Sequence, residues 1–378
     1  MSQSHPILVP QSDPKAGYLA YRSEVDAAVR RVLESGWYIL GREVETFEQR
    51  FAAYIGVHHA IGVGSGTDAL ELALRASGVG PNDLVFTVSH TAVATVAAIE
   101  LTGATPVLVD IDPVTYTMDP NSLAEVLSRP YKGCPKAVIP VHLYGQPADM
   151  PAIMELAHRY DLRVVEDCAQ SHGATLAGRM TGCWGDIAAF SFYPTKNLGA
   201  FGDGGMVVTN DTSLAERVRL LRQYGWRERY VSDLPGLNSR LDELQAAILS
   251  VRLRYLDEGN GNRRELARVY DRMLSATNVV LPAFTSGTKH VYHQYVVRTA
   301  NRDSLKRFLA GRGICTAIHY PVPVHKQPAY EGRLLCADSM TKTEMVAGEV
   351  LSLPMYPELA EAQIQAVCAA IAQFSQQR

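Results

Sequence analysis

Residues 164–170, VVEDCAQ, run from an apolar stretch into two acidic side chains, and residues 188–199, AAFSFYPTKNLG, run from a second apolar stretch into a turn with one lysine. Upstream, residues 84–88, 106–111 and 137–141 form further short apolar runs, separated by segments with helical periodicity. Short, continuously apolar strands that alternate with helices are typical of a parallel sheet covered on both faces. The pattern predicts an α/β fold with a mostly parallel central sheet between helices.

The N-terminal part is predicted to be an irregular arm followed by two amphipathic helices. Residues 23–26, SEVD, have the pattern of a capping box that opens the first helix, and Gly36 ends it. Apolar residues recur at helical spacing over residues 44–55, and Gly56 fits the position just past the end of that helix.

The C-terminal part has a different pattern. Residues 236–274 are predicted to be mostly helical, with an interruption at Gly259-Asn260-Gly261. Beyond them the periodicity predicts, in order, a strand, a helix, a strand and a final helix, at residues 290–299, 303–310, 315–320 and 364–374. The predicted organisation is an N-terminal arm (residues 1–22), a large domain (residues 23–258) and a smaller C-terminal α+β domain (residues 259–378).

Composition narrows the classes of partner. The chain has 378 residues and a formal net charge of −3, which gives no electrostatic reason to expect nucleic acid or an anionic membrane as partner. Its six cysteines lack the spacing of a metal site, so no metal is expected. Neither a signal peptide nor a long apolar segment is apparent, and we expect a cytoplasmic protein that acts on small molecules.

A glycine-rich turn lies at residues 62–70, GVGSGTDAL, between a short strand and a helix. Such a turn exposes backbone N–H groups at the positive end of a helix, where a phosphate binds well. The alternative is a simple tight turn capped by Thr67.

Asp167 and Lys196 are the candidate catalytic residues. Ligands of open α/β sheets collect at the carboxyl ends of the strands, where Asp167 falls, and a carboxylate there can keep a pyridine nitrogen protonated. Asp167 could instead cap the next helix, and Lys196 could be an ordinary surface lysine. However, Lys196 lies among apolar and small residues, where desolvation lowers the pKa of an amine and favours Schiff-base chemistry. The Ser191 hydroxyl offers a further phosphate contact.

Together, these motifs resemble the DegT/DnrJ/EryC1/StrS family of sugar aminotransferases, which are fold-type-I pyridoxal-phosphate enzymes. The resemblance covers essentially the whole chain, and its most specific part runs from residue 165 to residue 207. It implies that pyridoxal 5'-phosphate is the cofactor, with pyridoxamine 5'-phosphate as its amino form.

The resemblance also assigns roles to single residues. Lys196 forms the Schiff base and moves the proton, and Asp167 pairs with the pyridine nitrogen. The remaining cofactor contacts are Gln170 at the ring, Gly66, Thr67 and Ser191 at the phosphate, and Asn238 at the phosphate of a neighbouring subunit. A homodimer with shared active sites follows from the last of these.

The chain departs from the family at one position. Where relatives place an aromatic residue on the cofactor face, in a segment of the form T-F/Y/W-x-A-T, residues 91–95 read TAVAT. Ala92 cannot stack on a ring. His90, the preceding residue, is predicted either to cover the ring or to be hydrogen-bonded within its loop.

The substrate side resembles the branch that acts on nucleotide-linked 3-keto-6-deoxyhexoses, through residues 35–41, 224–230 and 318–321. A sugar diphosphate needs hydrogen-bonding groups and cations. Tyr224, Arg229, His319 and Tyr320 are the candidates, with Arg227 and His325 as further ones, although a solvated loop would equally explain the arginines.

The predicted reaction is therefore transfer of an amino group from glutamate to a nucleotide-linked keto-deoxysugar in two half-reactions, with ping-pong kinetics. Three alternatives remain. A dehydratase of the same fold would carry histidine in place of Lys196. A pyridoxal-phosphate enzyme acting on amino acids, or on another keto sugar, differs only in its substrate. A cofactor- or sugar-sensing regulator would need a basic DNA-reading module.

Overall fold

The structure is a computed structural model and describes residues 9–337 and 339–376. The N-terminal helices and the first part of the α/β region are α1 (Pro14–Ala20), α2 (Arg22–Ser35), α3 (Arg42–Ile55), β1 (His59–Val63), α4 (Gly66–Ala76), β2 (Asp83–Val88), α5 (Val93–Leu101), β3 (Thr105–Val109), α6 (Pro120–Leu127), β4 (Cys134–Val138) and α7 (Met150–Arg159). The following part comprises β5 (Arg163–Asp167), β6 (Thr175–Leu176), β7 (Arg179–Met180), β8 (Ile187–Ser191), β9 (Gly205–Thr209), α8 (Thr212–Leu221), β10 (Trp226–Glu228), β11 (Val231–Ser232) and α9 (Glu243–Leu253). The C-terminal part comprises α10 (Leu256–Leu274), β12 (Thr288–Lys289), β13 (Tyr295–Arg298), α11 (Arg302–Ala310), β14 (Leu335–Cys336), α12 (Thr341–Glu349), β15 (Val350–Leu353) and α13 (Glu361–Gln376).

The central sheet has eight strands in the order β1-β9-β8-β5-β4-β2-β3-β14. Neighbours from β8 to β14 pair in parallel, and only β9 runs against its neighbours β8 and β1. The predicted α/β class with a mostly parallel sheet between helices is therefore confirmed. Its strands are almost entirely buried, because helices cover both faces.

The helices near the N-terminus follow the prediction in part. Left-handed glycines end α2 and α3, at Gly36 (φ 67°) and Gly56 (φ 86°), as predicted. The capping box is wrong, because α2 begins at Arg22 and Ser23 lies inside it. The arm predicted to be irregular contains α1, which the Asp13 carboxylate caps by accepting from the N–H of Ala16 at 3.0 Å. Residues 1–8 of that arm lie outside the described residues.

Two C-terminal predictions need correction. The break between the long helices falls at residues 254–255, and Gly259 and Gly261 lie inside α10. The strand predicted at residues 315–320 is absent from the described structure, where only Ala317 forms a bridge, to Ser352. Ala317 and Ser352 exchange two backbone hydrogen bonds, and farther along the segment the side chains of His319 and Tyr320 bond to Ser352 and Gln170.

A separate antiparallel pair, β13 with β15, packs with α10, α11 and α13 around its own apolar cluster, which includes Tyr270, Tyr295 and Ile371. The predicted boundary between the large and the C-terminal domain, at residues 258 and 259, falls within the continuous helix α10. The division into these two domains stays a prediction. Within the described residues, no helix is both long and apolar enough to cross a membrane.

Candidate active site

Three of the predicted motifs meet at one edge of the sheet. β5 ends at Asp167, β8 ends at Ser191, and α4 begins at Gly66 directly after β1. Gly66 and Ser191 approach so closely that a Cβ on Gly66 would lie 2.6 Å from the Ser191 Cβ, so the glycine is required there. This edge is where ligands of open α/β sheets bind.

Asp167 is buried, and two groups hold its carboxylate. Its Oδ2 accepts the hydroxyl proton of Thr95 at 2.9 Å, and its Oδ1 accepts the N–H of Ala169 at 3.1 Å. Burial raises the pKa of Asp167, whereas these two bonds and the charge of Lys196 lower it. The Asp167 carboxylate is therefore hydrogen-bonded and lies in a low-dielectric site. Both properties suit a group that pairs with a protonated ring nitrogen.

Lys196 lies in the turn after β8, where its N–H donates to the Tyr193 carbonyl at 2.9 Å. Its side chain is partly buried, and its Nζ makes no hydrogen bond to any described residue. Desolvation lowers the pKa of Lys196 to about 8, opposed by the nearby charge of Asp167. An unpaired, desolvated amine beside a carboxylate is suited to forming a Schiff base with a carbonyl compound.

The start of α4 offers donors for a phosphate. The Ser65 side chain caps the helix by accepting from the N–H of Asp68 at 3.1 Å, so the cap is Ser65 and not Thr67. Within the described chain the N–H groups of Gly66 and Thr67, and the Thr67 hydroxyl, are unpaired. Free donors at a helix N-terminus next to a small hydroxyl residue fit a phosphate group.

Gln170 links the cofactor edge to the C-terminal part of the chain. Its Oε1 accepts from the backbone N–H of Tyr144 at 2.8 Å, and its Nε2 donates to the Tyr320 hydroxyl at 3.1 Å. The Tyr144 hydroxyl in turn donates to the His319 carbonyl. Desolvation lowers the pKa of His319 to about 4, with a further contribution from Lys196, which places this imidazole near the amine. His319 and Tyr320 thus lie at the site, as predicted.

The structure gives His90 a different setting from the predicted stacking role. His90 is fully buried, and its Nε2 is 2.8 Å from the Tyr144 hydroxyl. Burial lowers the pKa of His90 to about 4, so the ring is neutral at pH 7. A side chain with no exposed face supports the second predicted possibility, a histidine hydrogen-bonded within its surroundings.

The substrate candidates on the other side lie on an exposed hairpin. β10 and β11 form it, the ring centroid of Tyr224 lies 5.0 Å from that of Trp226, and the Arg229 guanidinium lies 4.9 Å from the Tyr230 ring centroid. Arg227 pairs with Asp233 in solvent. Asn238 is also exposed. Within one chain, no described contact joins this hairpin to Lys196.

His325 has a supporting position. Its Nδ1 is 2.7 Å from the Ser89 hydroxyl and its Nε2 is 3.1 Å from the Glu344 carboxylate. Both nitrogens are engaged, so His325 fastens its loop to the end of β2.

A buried pair that the sequence analysis missed supports the turn before β8. His142 Nε2 lies 3.0 Å from Glu166 Oε2, and both side chains are fully buried. Glu166 also accepts three backbone N–H groups, from residues 182, 184 and 185, and His142 Nδ1 accepts the N–H of Ala148. Together with Cys168 these side chains could hold a metal by distance, but the imidazole has no free lone pair, so we assign them a structural role.

An open, mostly parallel sheet with a buried carboxylate and a desolvated lysine at its carboxyl edge defines an enzyme that holds a carbonyl cofactor as a Schiff base. The model of the DegT/DnrJ/EryC1/StrS aminotransferase family matches residues 20–372, and the chain belongs to this family. It is a pyridoxal-phosphate-dependent aminotransferase.

Similar proteins include a named transaminase and a protein named for sensory transduction. The chain is 50% identical to dTDP-3-amino-3,4,6-trideoxy-alpha-D-glucose transaminase of Streptomyces venezuelae, over 97% of this chain and 96% of that protein. It is also 50% identical to the erythromycin biosynthesis sensory transduction protein EryC1 of Saccharopolyspora erythraea, over 93% and 95%. A crystal structure of S. venezuelae DesV in complex with a ketimine intermediate superposes with a TM-score of 0.94, at 49% identity, over 98% of this chain and 99% of that one.

Proposed function

We propose that the chain moves an amino group from glutamate to a nucleotide-linked keto-deoxysugar, and specifically to a dTDP-linked 3-keto-6-deoxyhexose. The observation that carries the chemistry is the buried Asp167 carboxylate next to the desolvated Lys196 amine. Pyridoxal 5'-phosphate, when bound, supplies an electron sink for the carbanion that transamination requires. The S. venezuelae transaminase and the DesV structure support the sugar substrate.

The residues of this chain divide the work. Asp167 keeps the ring nitrogen protonated, and Thr95 and the Ala169 N–H keep that carboxylate oriented. Lys196 holds the cofactor and, as a neutral amine, would accept a proton from the substrate carbon on its Nζ and deliver it to the cofactor. Ser191, Gly66 and Thr67 bind the phosphate.

The remaining roles concern the ring and the sugar. Gln170 contacts the ring side of the cofactor and positions Tyr320 through its Nε2. His319 and Tyr320 face the acceptor sugar, where their polar atoms can bind its hydroxyl groups. Tyr224 and Arg229 bind the nucleotide diphosphate, for which a guanidinium is well suited.

We further propose a homodimer in which each active site uses both chains. Large apolar side chains are exposed near Asn238, with Trp37 at 63% and Tyr230 at 72% exposure. The Tyr38 carbonyl, next to Trp37, accepts from the N–H of Glu243, and Gln223, at the base of the hairpin, forms a bridge with Asn238. An exposed apolar patch of this kind is typical of an interface. Docking there would deliver Asn238 and the hairpin to the partner's cofactor edge.

We propose a cytoplasmic location as well. All six cysteines are free thiols, as is usual in a reducing compartment. A regulatory role is the second candidate, favoured by the similarity to the sensory transduction protein EryC1. The intact Asp167 and Lys196 pair favours catalysis, and a gel-shift assay at low salt would reveal any DNA binding.

The test is a pair of half-reactions on purified protein. Addition of pyridoxal 5'-phosphate should give a visible absorption band, glutamate should bleach it, and the dTDP-linked keto sugar should restore it with formation of the amino sugar, detected by mass spectrometry. Lys196→Ala should abolish turnover, whereas Lys132→Ala, at an exposed lysine, should leave it unchanged. A wild-type protein without the band, or one that aminates keto acids and no sugar nucleotide, would refute the proposal.

A further inference from the structure

The Gly259-Asn260-Gly261 motif has no place in the function described so far. The sequence suggested a helix break, but these residues continue α10 without interruption. Asn260 is buried, with 2% of its surface exposed. A buried amide costs stability unless its hydrogen bonds are made, so its partners indicate why it is there.

Asn260 bonds to both segments that carry the catalytic candidates. Its Oδ1 accepts from Asn197 Nδ2 at 2.8 Å, and its Nδ2 donates to the His172 carbonyl at 2.8 Å. Asn197 directly follows Lys196, and His172 lies on the loop that begins at Asp167. One side chain on a rigid helix therefore connects the lysine turn with the aspartate loop.

The surrounding structure allows little freedom in these contacts. Gly173 has φ 83°, and a Cβ there would lie 2.8 Å from Asn260 Nδ2, so only glycine lets the amide reach the loop. On the other side, Asn197 also donates to the Val291 carbonyl at 3.0 Å, and its Oδ1 lies 3.2 Å from His293 Nδ1. The amide of Asn197 is thus fixed at both of its polar atoms.

Lys196 depends on this support, because its Nζ has no hydrogen-bond partner among residues 9–337 and 339–376. The position of the amine is set by its backbone turn and by the side chain next to it. We propose that Asn260 is a positioning residue that fixes the Lys196 turn relative to the Asp167 loop. The inference rests on the proposed roles of Lys196 and Asp167.

The experiment measures cofactor capture by the apoprotein, without turnover. Pyridoxal 5'-phosphate is mixed with apoprotein in a stopped-flow spectrometer, and the rate constant of band formation is recorded from pH 6.5 to 9.5. Asn260→Ala should capture the cofactor about tenfold more slowly, since small displacements of a reacting group cost large factors in rate. The pH midpoint of capture should also rise, because a displaced amine is less desolvated.

Two further variants separate positioning from general destabilisation. Asn262→Ala, two residues along the same helix and exposed, is the matched control and should behave as wild type. Asn197→Ala removes the Asn197–Asn260 hydrogen bond from the other side and should also slow capture. It replaces Asn260→Ala in the experiment if that variant does not fold. The double variant should be slowed by less than the product of the two single effects, because the Asn197–Asn260 bond is lost in both single variants.

Capture by the folded Asn260→Ala or Asn197→Ala protein within twofold of wild type, with an unchanged pH midpoint, would overturn the inference. Multiplying effects in the double variant would overturn it as well. If the wild-type protein itself captures no pyridoxal 5'-phosphate, the proposed function fails instead, so the two failures are distinguishable.

Discussion

Asp167 and Lys196 lie at a sheet edge that a single chain encloses, whereas the hairpin that carries Tyr224 and Arg229 projects into solvent. The carboxylate of Asp167 has its hydrogen bonds made, and desolvation already lowers the pKa of Lys196. The hairpin presents Tyr230 at 72% exposure and Arg229, whose guanidinium lies over the Tyr230 ring.

This difference separates two requirements of the reaction. Cofactor chemistry needs a preorganised, low-dielectric site, and the sheet edge supplies one from a single chain. Selection of a nucleotide sugar needs cations and hydrogen-bonding groups around a larger ligand. In one chain, Tyr224 and Arg229 of the hairpin make no described contact with the cofactor edge. A second copy of the chain would complete the site and cover the exposed apolar side chains.

The strongest test of this comparison mixes two inactive chains. In a tagged heterodimer of Lys196→Ala with Asn238→Asp, shared sites would combine the intact lysine of one chain with the intact asparagine of the other. One site of two would then work, and activity should recover to about half of wild type. Each homodimer should be nearly inactive, since Asn238→Asp sets a carboxylate against the cofactor phosphate.

Sites contained in one chain predict the opposite result, because both sites of that heterodimer would carry a lesion and activity would stay at background. A heterodimer of wild type with Lys196→Ala provides the control, with about half of the wild-type activity under either arrangement. Size-exclusion chromatography of each variant checks that the dimer persists.

The substitution Arg229→Ala tests whether the hairpin binds the sugar nucleotide without taking part in the chemistry. Loss of a charge-assisted bond of about 1.5–3 kcal/mol should raise the KM for the sugar nucleotide roughly 10- to 100-fold, with kcat and cofactor capture unchanged. Arg217→Ala on α8, also exposed, should change neither constant. A fall in kcat at constant KM would instead place Arg229 in the chemistry and not in substrate binding.

The sequence predicts the cofactor side well because its signals are local. A strand that ends in an aspartate, a turn with a lone lysine and a glycine-rich helix start each occupy a few consecutive residues. The fold class, the sheet edge and the meeting of Gly66 with Ser191 follow from those segments. The family resemblance predicts His319 and Tyr320 as substrate contacts, although their segment is not the predicted strand.

Residues that act through contacts distant in sequence cannot be predicted from local sequence patterns. Tyr144 joins His90 and His319, and Asn260 joins Asn197 with the His172 carbonyl, across sequence separations that no local pattern encodes. The glycines beside Asn260 suggested a helix break, because glycine propensity was weighed without the tertiary packing that overrides it. For residues 224–230 the sequence predicts substrate contacts or a solvated loop, and the hairpin that they form is seen only in the structure.

The smallest expected effect distinguishes the two regions by pH. Because desolvation lowers the pKa of Lys196 to about 8, the neutral amine that reacts with pyridoxal 5'-phosphate should increase about fivefold from pH 7 to pH 8 and level off by pH 9. An exposed lysine would continue to gain tenfold per pH unit over that range. Binding of the sugar diphosphate through Arg229 should change little between pH 7 and pH 9, because a guanidinium stays protonated. Stopped-flow capture rates and equilibrium titration with dTDP measure the two profiles, and a capture rate still rising steeply at pH 9.5 would show that the sheet edge does not desolvate Lys196.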